Sequence, residues 1–377
     1  MNDFWITHAL PWFWLTMVFL LGAGMGSFLN VCAHRLPYEK SVLWPGSRCP
    51  SCYQAIRWYH NLPLLSYWML RGRCRYCGAP FSIRYFLVEL FTGLAFAGLF
   101  YLEIQRNTLD IPYLASEPRR FDITHGLIGP LQQPRLWLIF AFHATLVSFL
   151  IVASLCDLQH MEIPLTVTLT GTLIGLIGSM LLAWPYPNPE VSITVPRPPL
   201  PGMPVEMPRL PHGVYPWPVW YPLPSWLPQG SWQLGLVTGL AGALAGMIVL
   251  RAVRFLFGLG RGIEGLGVGD ADLMMMAGAF VGWQPILMAF FLGVFPALVF
   301  GLIQLFFRGG QEMPFGPSLA VGVVLSLLLW PGLGNYYRPL FFNAQTLGLL
   351  AGAGAVFLLV TSFLLRLIRG RPEPDAS

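Results

Sequence analysis

Charge is what this sequence has least of. Of its 377 residues only 10% are Asp, Glu, Lys or Arg, while 55% are hydrophobic; a soluble domain carries roughly 25% charged residues. A water-soluble globule is therefore excluded for most of the chain. The short motifs of several enzyme classes are missing too: there is no Walker loop, no Ser-x-x-Lys or GxSxG nucleophile and no HExxH pair. Met1–Pro11 holds no Lys or Arg but does hold Asp3. Without the basic flank of a signal peptide, this segment is expected on the non-cytoplasmic side. No internal repeat is evident.

What the sequence has instead is a series of apolar runs of about twenty residues, each long enough to cross a hydrocarbon core as a helix. They fall near residues 12–33, 84–103, 136–156, 164–184, 232–256, 271–284, 285–307, 315–333 and 344–366. The fold class this predicts is an all-α polytopic membrane protein of about 8–9 transmembrane helices. The run 271–284 is short for a span, and Trp283-Gln284-Pro285 reads as a hairpin turn after it. Basic residues give the orientation. Eight of the 22 Lys and Arg residues fall in His34–Arg84, where Glu39 is the sole acid, so that segment is expected in the cytoplasm. Nine crossings then place Arg366, Arg369 and Arg371 on the same side. The net charge of +5 follows topology, and no nucleic-acid partner is expected.

Residues 185–228 contain fifteen prolines in 44 positions. Proline at that density stops helix propagation and favours extended polyproline conformation. The stretch is expected to be a non-cytoplasmic loop, with Trp217, Trp220 and Trp226 at the interface. Residues 104–135 form a second outer loop of mixed charge.

Four of the six cysteines form two pairs, Cys49-Pro-Ser-Cys52 and Cys74-Arg-Tyr-Cys77, with 21 residues between them. Two such knuckles can set four thiolates tetrahedrally around a structural zinc ion. A cytoplasmic location argues against disulfides. The module is only about fifty residues, so metal would supply much of its folding free energy. Cys32 and Cys156 lack such partners and read as buried thiols.

Two acids stand at the edges of apolar segments. Asp157 ends the run Leu136–Cys156, and Asp270 closes Gly265-Leu-Gly-Val-Gly-Asp270. Carboxylates next to hydrocarbon are costly and usually mark working sites. The nine-crossing scheme puts both at the cytoplasmic face, where they could share a proton and activate water as an aspartic protease does. Either one alone could equally cap a helix or pair with an arginine. His143 lies inside a span, where a hydrogen-bonded structural role is expected. His34, His60 and His160 are too scattered for a metal site. Glu89 reads as a structural pairing residue or as part of a functional site, and Met274–Met276 as helix packing.

In combination these residues resemble the type IV prepilin peptidases, membrane leader peptidases and N-methyltransferases of pilus and type II secretion systems. The matching elements are Gly26-Ser-Phe-Leu-Asn-Val31, His34-Arg-Leu-Pro37, Ser47-Arg-Cys-Pro50, Arg71-Gly-Arg-Cys74 and Cys77-Gly-Ala-Pro80. Arg84-Tyr-Phe-Leu-Val-Glu-Leu90, Asp157-Leu-Gln-His160 with Pro164, Gly267-Val-Gly-Asp270 and Pro314-Phe-Gly-Pro317 follow in family order. The resemblance implies an aspartic endopeptidase of the bacterial inner membrane with Asp157 and Asp270 catalytic, facing the cytoplasm. It also implies prepilins or pseudopilins as substrates, and S-adenosylmethionine as methyl donor for the new amino terminus. This chain departs from the family at three positions. Asp272 stands where lysine is usual, Gln159 where an acid is frequent, and Leu165 follows the proline in place of an acid. A peptidase without methyl transfer, a proton-coupled transporter and a silent scaffold are the competing readings.

The expected organisation is a first transmembrane helix (1–33), a cytoplasmic zinc-binding module (34–83) and helices carrying the first aspartate (84–184). A proline-rich non-cytoplasmic loop (185–231), helices with the Gly-x-Gly-Asp motif (232–335) and a C-terminal helix and tail (336–377) complete it.

Overall fold

A computed structural model describes residues 2–106, 108, 134–182, 226–228, 231–262, 267–308, 313–341 and 344–369. Among them there is no strand, only two isolated antiparallel bridges. The proline-rich stretch lies outside the described residues apart from Trp226–Pro228, as does most of 104–135. The elements are α1 (Asn2–Arg35), a short α2 (Leu65–Met69), α3 (Arg84–Phe100) and a π-helical turn (Tyr101–Gln105). Then come α4 (Pro134–His160), α5 (Leu165–Leu182), α6 (Trp232–Arg261), α7 (Val268–Val281), α8 (Trp283–Arg308), α9 (Gly316–Phe341) and α10 (Ala344–Arg369).

All nine expected apolar runs are helical, and among the described residues seven helices are long and apolar enough to cross a membrane. The protein is a multi-pass membrane protein. α7 has 14 residues, which rise about 21 Å at 1.5 Å each, short of a hydrocarbon core of about 30 Å. In α9 the apolar stretch among the described residues is Gly316–Trp330. The break after α7 sits at Gly282, whose φ of +84° suits a residue without Cβ. The expected turn at Trp283-Gln284-Pro285 is thus one residue late, because those three form the first turn of α8. Large apolar side chains face outward on these helices, with Phe306 84% and Leu349 74% exposed, as lipid-facing surfaces require.

The chain divides into two compact units, Met1–Val167 and Thr168–Ser377. In the first, α1 packs along α3. At Gly26 any Cβ would press on the Glu89 backbone and on Thr92, so glycine sets how close the two helices come. The π-helical turn that continues α3 carries Glu103 inward. Its Oε1 lies 2.6 Å from His143 Nδ1 of α4, with both side chains 0% exposed. His143 therefore has the hydrogen-bonded role expected of it, and Glu103 is the partner that the sequence reading did not name. Removing one member of a buried pair leaves the other uncompensated, which costs about 3–5 kcal/mol. His143→Leu is expected to lower the thermal unfolding midpoint in detergent sharply, and Glu103→Gln, which can still hydrogen-bond, much less. Equal midpoints for wild type and His143→Leu would show the pair to be structurally idle.

In the second unit α7 is the buried element. Leu273, Met274, Met276, Ala277 and Phe280 are all 0% exposed, so Met274 and Met276 pack as the sequence suggests. Gly278 of α7 meets Gly242 of α6 backbone to backbone, with no room for a side chain on either. Ser179 of α5 donates to the Ala279 carbonyl at 2.9 Å. Ser326 of α9 donates to the Pro285 carbonyl of α8 at 2.6 Å.

Candidate active site and metal centre

Between α1 and α3 the chain forms two near-identical turns around its cysteine pairs. In the first, Cys49 N–H donates to Gln54 O at 3.0 Å and Tyr53 N–H to Cys49 O at 2.9 Å. The second repeats this: Cys74 N–H donates to Ala79 O at 2.8 Å and Gly78 N–H to Cys74 O at 2.9 Å. The fourth residue after each leading cysteine has positive φ, +57° at Tyr53 and +71° at Gly78. That left-handed step turns the chain back on itself, and the bridges Arg48–Ala55 and Arg73–Pro80 close the two loops.

The two loops bring the four sulfurs to within 4.8 Å of one another, a cluster able to hold a metal ion. Cys49 Sγ and Cys77 Sγ are 3.8 Å apart, and all four thiols are free. Backbone N–H groups of Cys52 and Ser51 point at the Cys49 sulfur, favour its thiolate and lower its pKa to about 6. At Cys77 the Ala79 amide also favours the thiolate. Desolvation and hydrogen bonds with the other three cysteines outweigh it, pushing that thiol up to about 11. Four sulfurs cannot all carry charge this close together without a cation among them.

The two sequence-selected aspartates lie in different units. Asp157, in the last turn of α4, is only 6% exposed. Its turn is fastened to the end of α1: Cys156 Sγ lies 3.9 Å from Ala33 O, and the His160 ring stands edge-on to Tyr38 at 5.4 Å. Asp270, 7% exposed, is the third residue of α7. There the unsatisfied N–H groups and the dipole of a helix start favour a carboxylate. A Cβ at position 267 would lie only 3.5 Å from Asp270 Oδ2, so the preceding glycine leaves the carboxylate room. Asp272 does not share that environment. Two residues on is about 200° around a helix, and its Oδ1 lies 3.6 Å from Arg251 Nη2 of α6. Arg251 is a partner that the sequence reading did not pick out. Glu89 of α3 takes the structural role: its Oε2 accepts from Leu64 N–H at 2.7 Å.

Residues 20–102 match the family model described as the bacterial Peptidase A24 N-terminal domain, and residues 209–302 match the type IV leader peptidase family. The cysteine turns and α3 lie within the first match and Asp270 within the second, whereas Asp157 lies outside both. A prepilin leader peptidase/N-methyltransferase of Myxococcus xanthus (strain DK1622) is 30% identical over 292 residues, covering 78% of this chain and 63% of that one. A protein of the same name from Aeromonas salmonicida (strain A449) is 27% identical over 361 residues, covering 88% of this chain and 96% of that one. The Klebsiella pneumoniae relative is 28% identical over 280 residues, covering 73% of this chain and 88% of that one. No solved structure matches.

Proposed function

The chain belongs to the type IV prepilin peptidase family, and on that premise we propose that it cleaves the leader of prepilin-like proteins and then methylates the new amino terminus. Cleavage is assigned to Asp157 and Asp270 at the cytoplasmic face of the bacterial inner membrane, on substrates that are prepilins or pseudopilins. The observation that carries this reading is a nearly buried carboxylate in the first turn of α7, within the segment matching the leader peptidase family. Buried acids at helix ends in a membrane protein need a purpose that outweighs their desolvation.

The chemistry requires two carboxyl groups in unlike protonation states. The ionised one takes a proton from water as the oxygen attacks the scissile carbonyl carbon. The protonated one donates its hydrogen to the carbonyl oxygen, giving a neutral tetrahedral diol. Collapse reverses that second transfer, and the leaving nitrogen receives the proton taken from water as the C–N bond breaks. Which aspartate starts in which state belongs to the pair rather than to either residue.

The cysteine cluster is assigned to zinc. A tetrahedral Zn–S₄ site with bonds of about 2.3 Å has S···S edges of about 3.8 Å, and Cys49 and Cys77 stand 3.8 Å apart. Cys49, Cys52, Cys74 and Cys77 leave no coordination position for water, so the ion's role is structural.

The test is mass spectrometry of a prepilin peptide, leader plus apolar helix, incubated with the purified protein and S-adenosylmethionine. Loss of the leader together with one added methyl is expected. Cleavage without the methyl would leave the peptidase and remove the transferase. Several authentic prepilins left intact would overturn the reading.

A further inference from the structure

Between α1 and α3 the chain carries charge of one sign: from Lys40 to Arg84 there are seven Lys or Arg residues and no acid. Within that stretch α2 presents Leu65, Trp68 and Met69 at i, i+3 and i+4, so the three share one face. They are 58%, 66% and 64% exposed. We propose that this face lies in the headgroup region of an anionic lipid leaflet, making α2 an interfacial anchor that seats the cysteine turns on the membrane. Only the membrane insertion of α3 is needed for this, not the activity proposed above.

α2 is fastened where a bilayer surface must pass. Leu64, the residue before it, donates its N–H to Glu89 Oε2 of α3 at 2.7 Å. Tyr67 lies on the opposite face from Leu65 and Met69, and its ring meets Phe81 at 5.6 Å and Phe86 at 5.9 Å. A Cβ on Gly72 would stand 3.2 Å from the Tyr67 hydroxyl, so the chain also closes against that ring. Trp68 stands edge-on to Phe86 at 5.7 Å. Phe86 is the third residue of α3, in a helical segment, Arg84–Gln105, long and apolar enough to cross a membrane. α2 is therefore level with the first turn of a spanning helix, the depth at which tryptophan is favoured. Further along α3, Leu87, Phe91 and Leu94 recur at helical spacing and are exposed too, a stripe that faces lipid. Charge selects the lipid. Arg71 and Arg73 follow α2 within four residues and Arg84 opens α3, all three exposed. With no acid near them in sequence, they favour phosphate-bearing anionic headgroups over neutral ones. Apolar side chains at the acyl boundary with basic residues beside them are the composition of an interfacial helix.

Residue-level photolabelling of the full-length protein, in nanodiscs of equal parts phosphatidylglycerol and phosphatidylcholine, tests this. One lipid at a time carries a photoreactive diazirine near the headgroup end of its acyl chain, and mass spectrometry locates the labelled peptides. Phe357, exposed in the middle of α10, is the reference for lipid contact without charge selection. Label is expected on residues 65–69 from both lipids, with a phosphatidylglycerol preference at least about fivefold above that at Phe357. Arg71→Gln with Arg73→Gln is expected to bring that preference down toward the Phe357 value. Trp68→Gln with Met69→Gln is expected to cut total label at 65–69 by at least about threefold. Labelling at Phe357 and the melting midpoint report whether each variant has folded, and the wild-type pattern decides even where one has not. Absence of label at 65–69 while Phe357 is labelled would overturn the proposal. Equal preference at the two places would overturn it as well, because the contact would then be apolar without selection of charge. Label that disappears when a prepilin is added would give the face to that protein's apolar helix, and the lipid assignment would be wrong.

Discussion

On the proposed mechanism, asparagine at position 157 or at position 270 is expected to abolish leader cleavage, while asparagine at 272 is expected to leave it in place. The change from Asp to Asn keeps size and shape but removes a group that can take or give a proton. General acid or base action by one positioned side chain contributes about 10²–10⁴-fold, and two groups acting on one water fail together when either is lost. Asp157 and Asp270 are only 6% and 7% exposed, so both are largely sheltered from solvent. Asp272 is occupied differently, 3.6 Å from an Arg251 side chain that is 55% exposed. A pair so open to solvent is worth about 0–1 kcal/mol, so Asp272→Asn costs little stability. Initial rates on one prepilin peptide, with melting midpoints as the folding control, decide the matter. Cleavage by Asp270→Asn within about tenfold of wild type would sink the dyad, as would loss of cleavage confined to Asp272→Asn.

Removing the zinc proposed for the cysteine cluster is expected to collapse the module. The segment between α1 and α3 has little core of its own: Cys49 is one of its few buried residues, and Trp44, Trp58 and Trp68 are all exposed. Structural zinc contributes about 10–16 kcal/mol of apparent binding free energy in small zinc-dependent folds. Nothing comparable is available from the packing here. Chelation, or Cys49→Ser, is expected to release one zinc ion per chain and to open residues 36–83 to limited proteolysis, with the transmembrane helices still protected. Elemental analysis and a timed digest read both quantities. A metal-free protein with the wild-type cleavage map would show that the four thiols hold the module by themselves.

The apolar runs and the basic segment after α1 were enough to place nine helices, because in a bilayer only internally hydrogen-bonded segments are tolerated. The cysteine pairs were legible for a similar reason, since Cys-x-x-Cys spacing is the local geometry a tetrahedral ion needs. The two aspartates stood out because ionisable groups beside hydrocarbon are rare. Glu103 was within reach by the same logic: an acid and a histidine in neighbouring spans invite pairing. Its place at the end of an expected helix hid it, because only a π-helical turn swings it inward.

The sequence by itself therefore determined the class of protein, its helices, its clustered cysteines and its candidate acids, all of which depend on local spacing and composition. The tertiary structure decided what depends on which surfaces meet. It buried most of α7 and stopped that helix at 14 residues, too short to cross alone. It turned Asp272 toward Arg251 and left Asp270 in a different setting. It also closed a cleft between α1 and two loops that are distant in sequence. Those outcomes rest on helix contacts across dozens of residues, where glycine pairs such as Gly242 and Gly278 fix the distance of approach, and no local pattern encodes them.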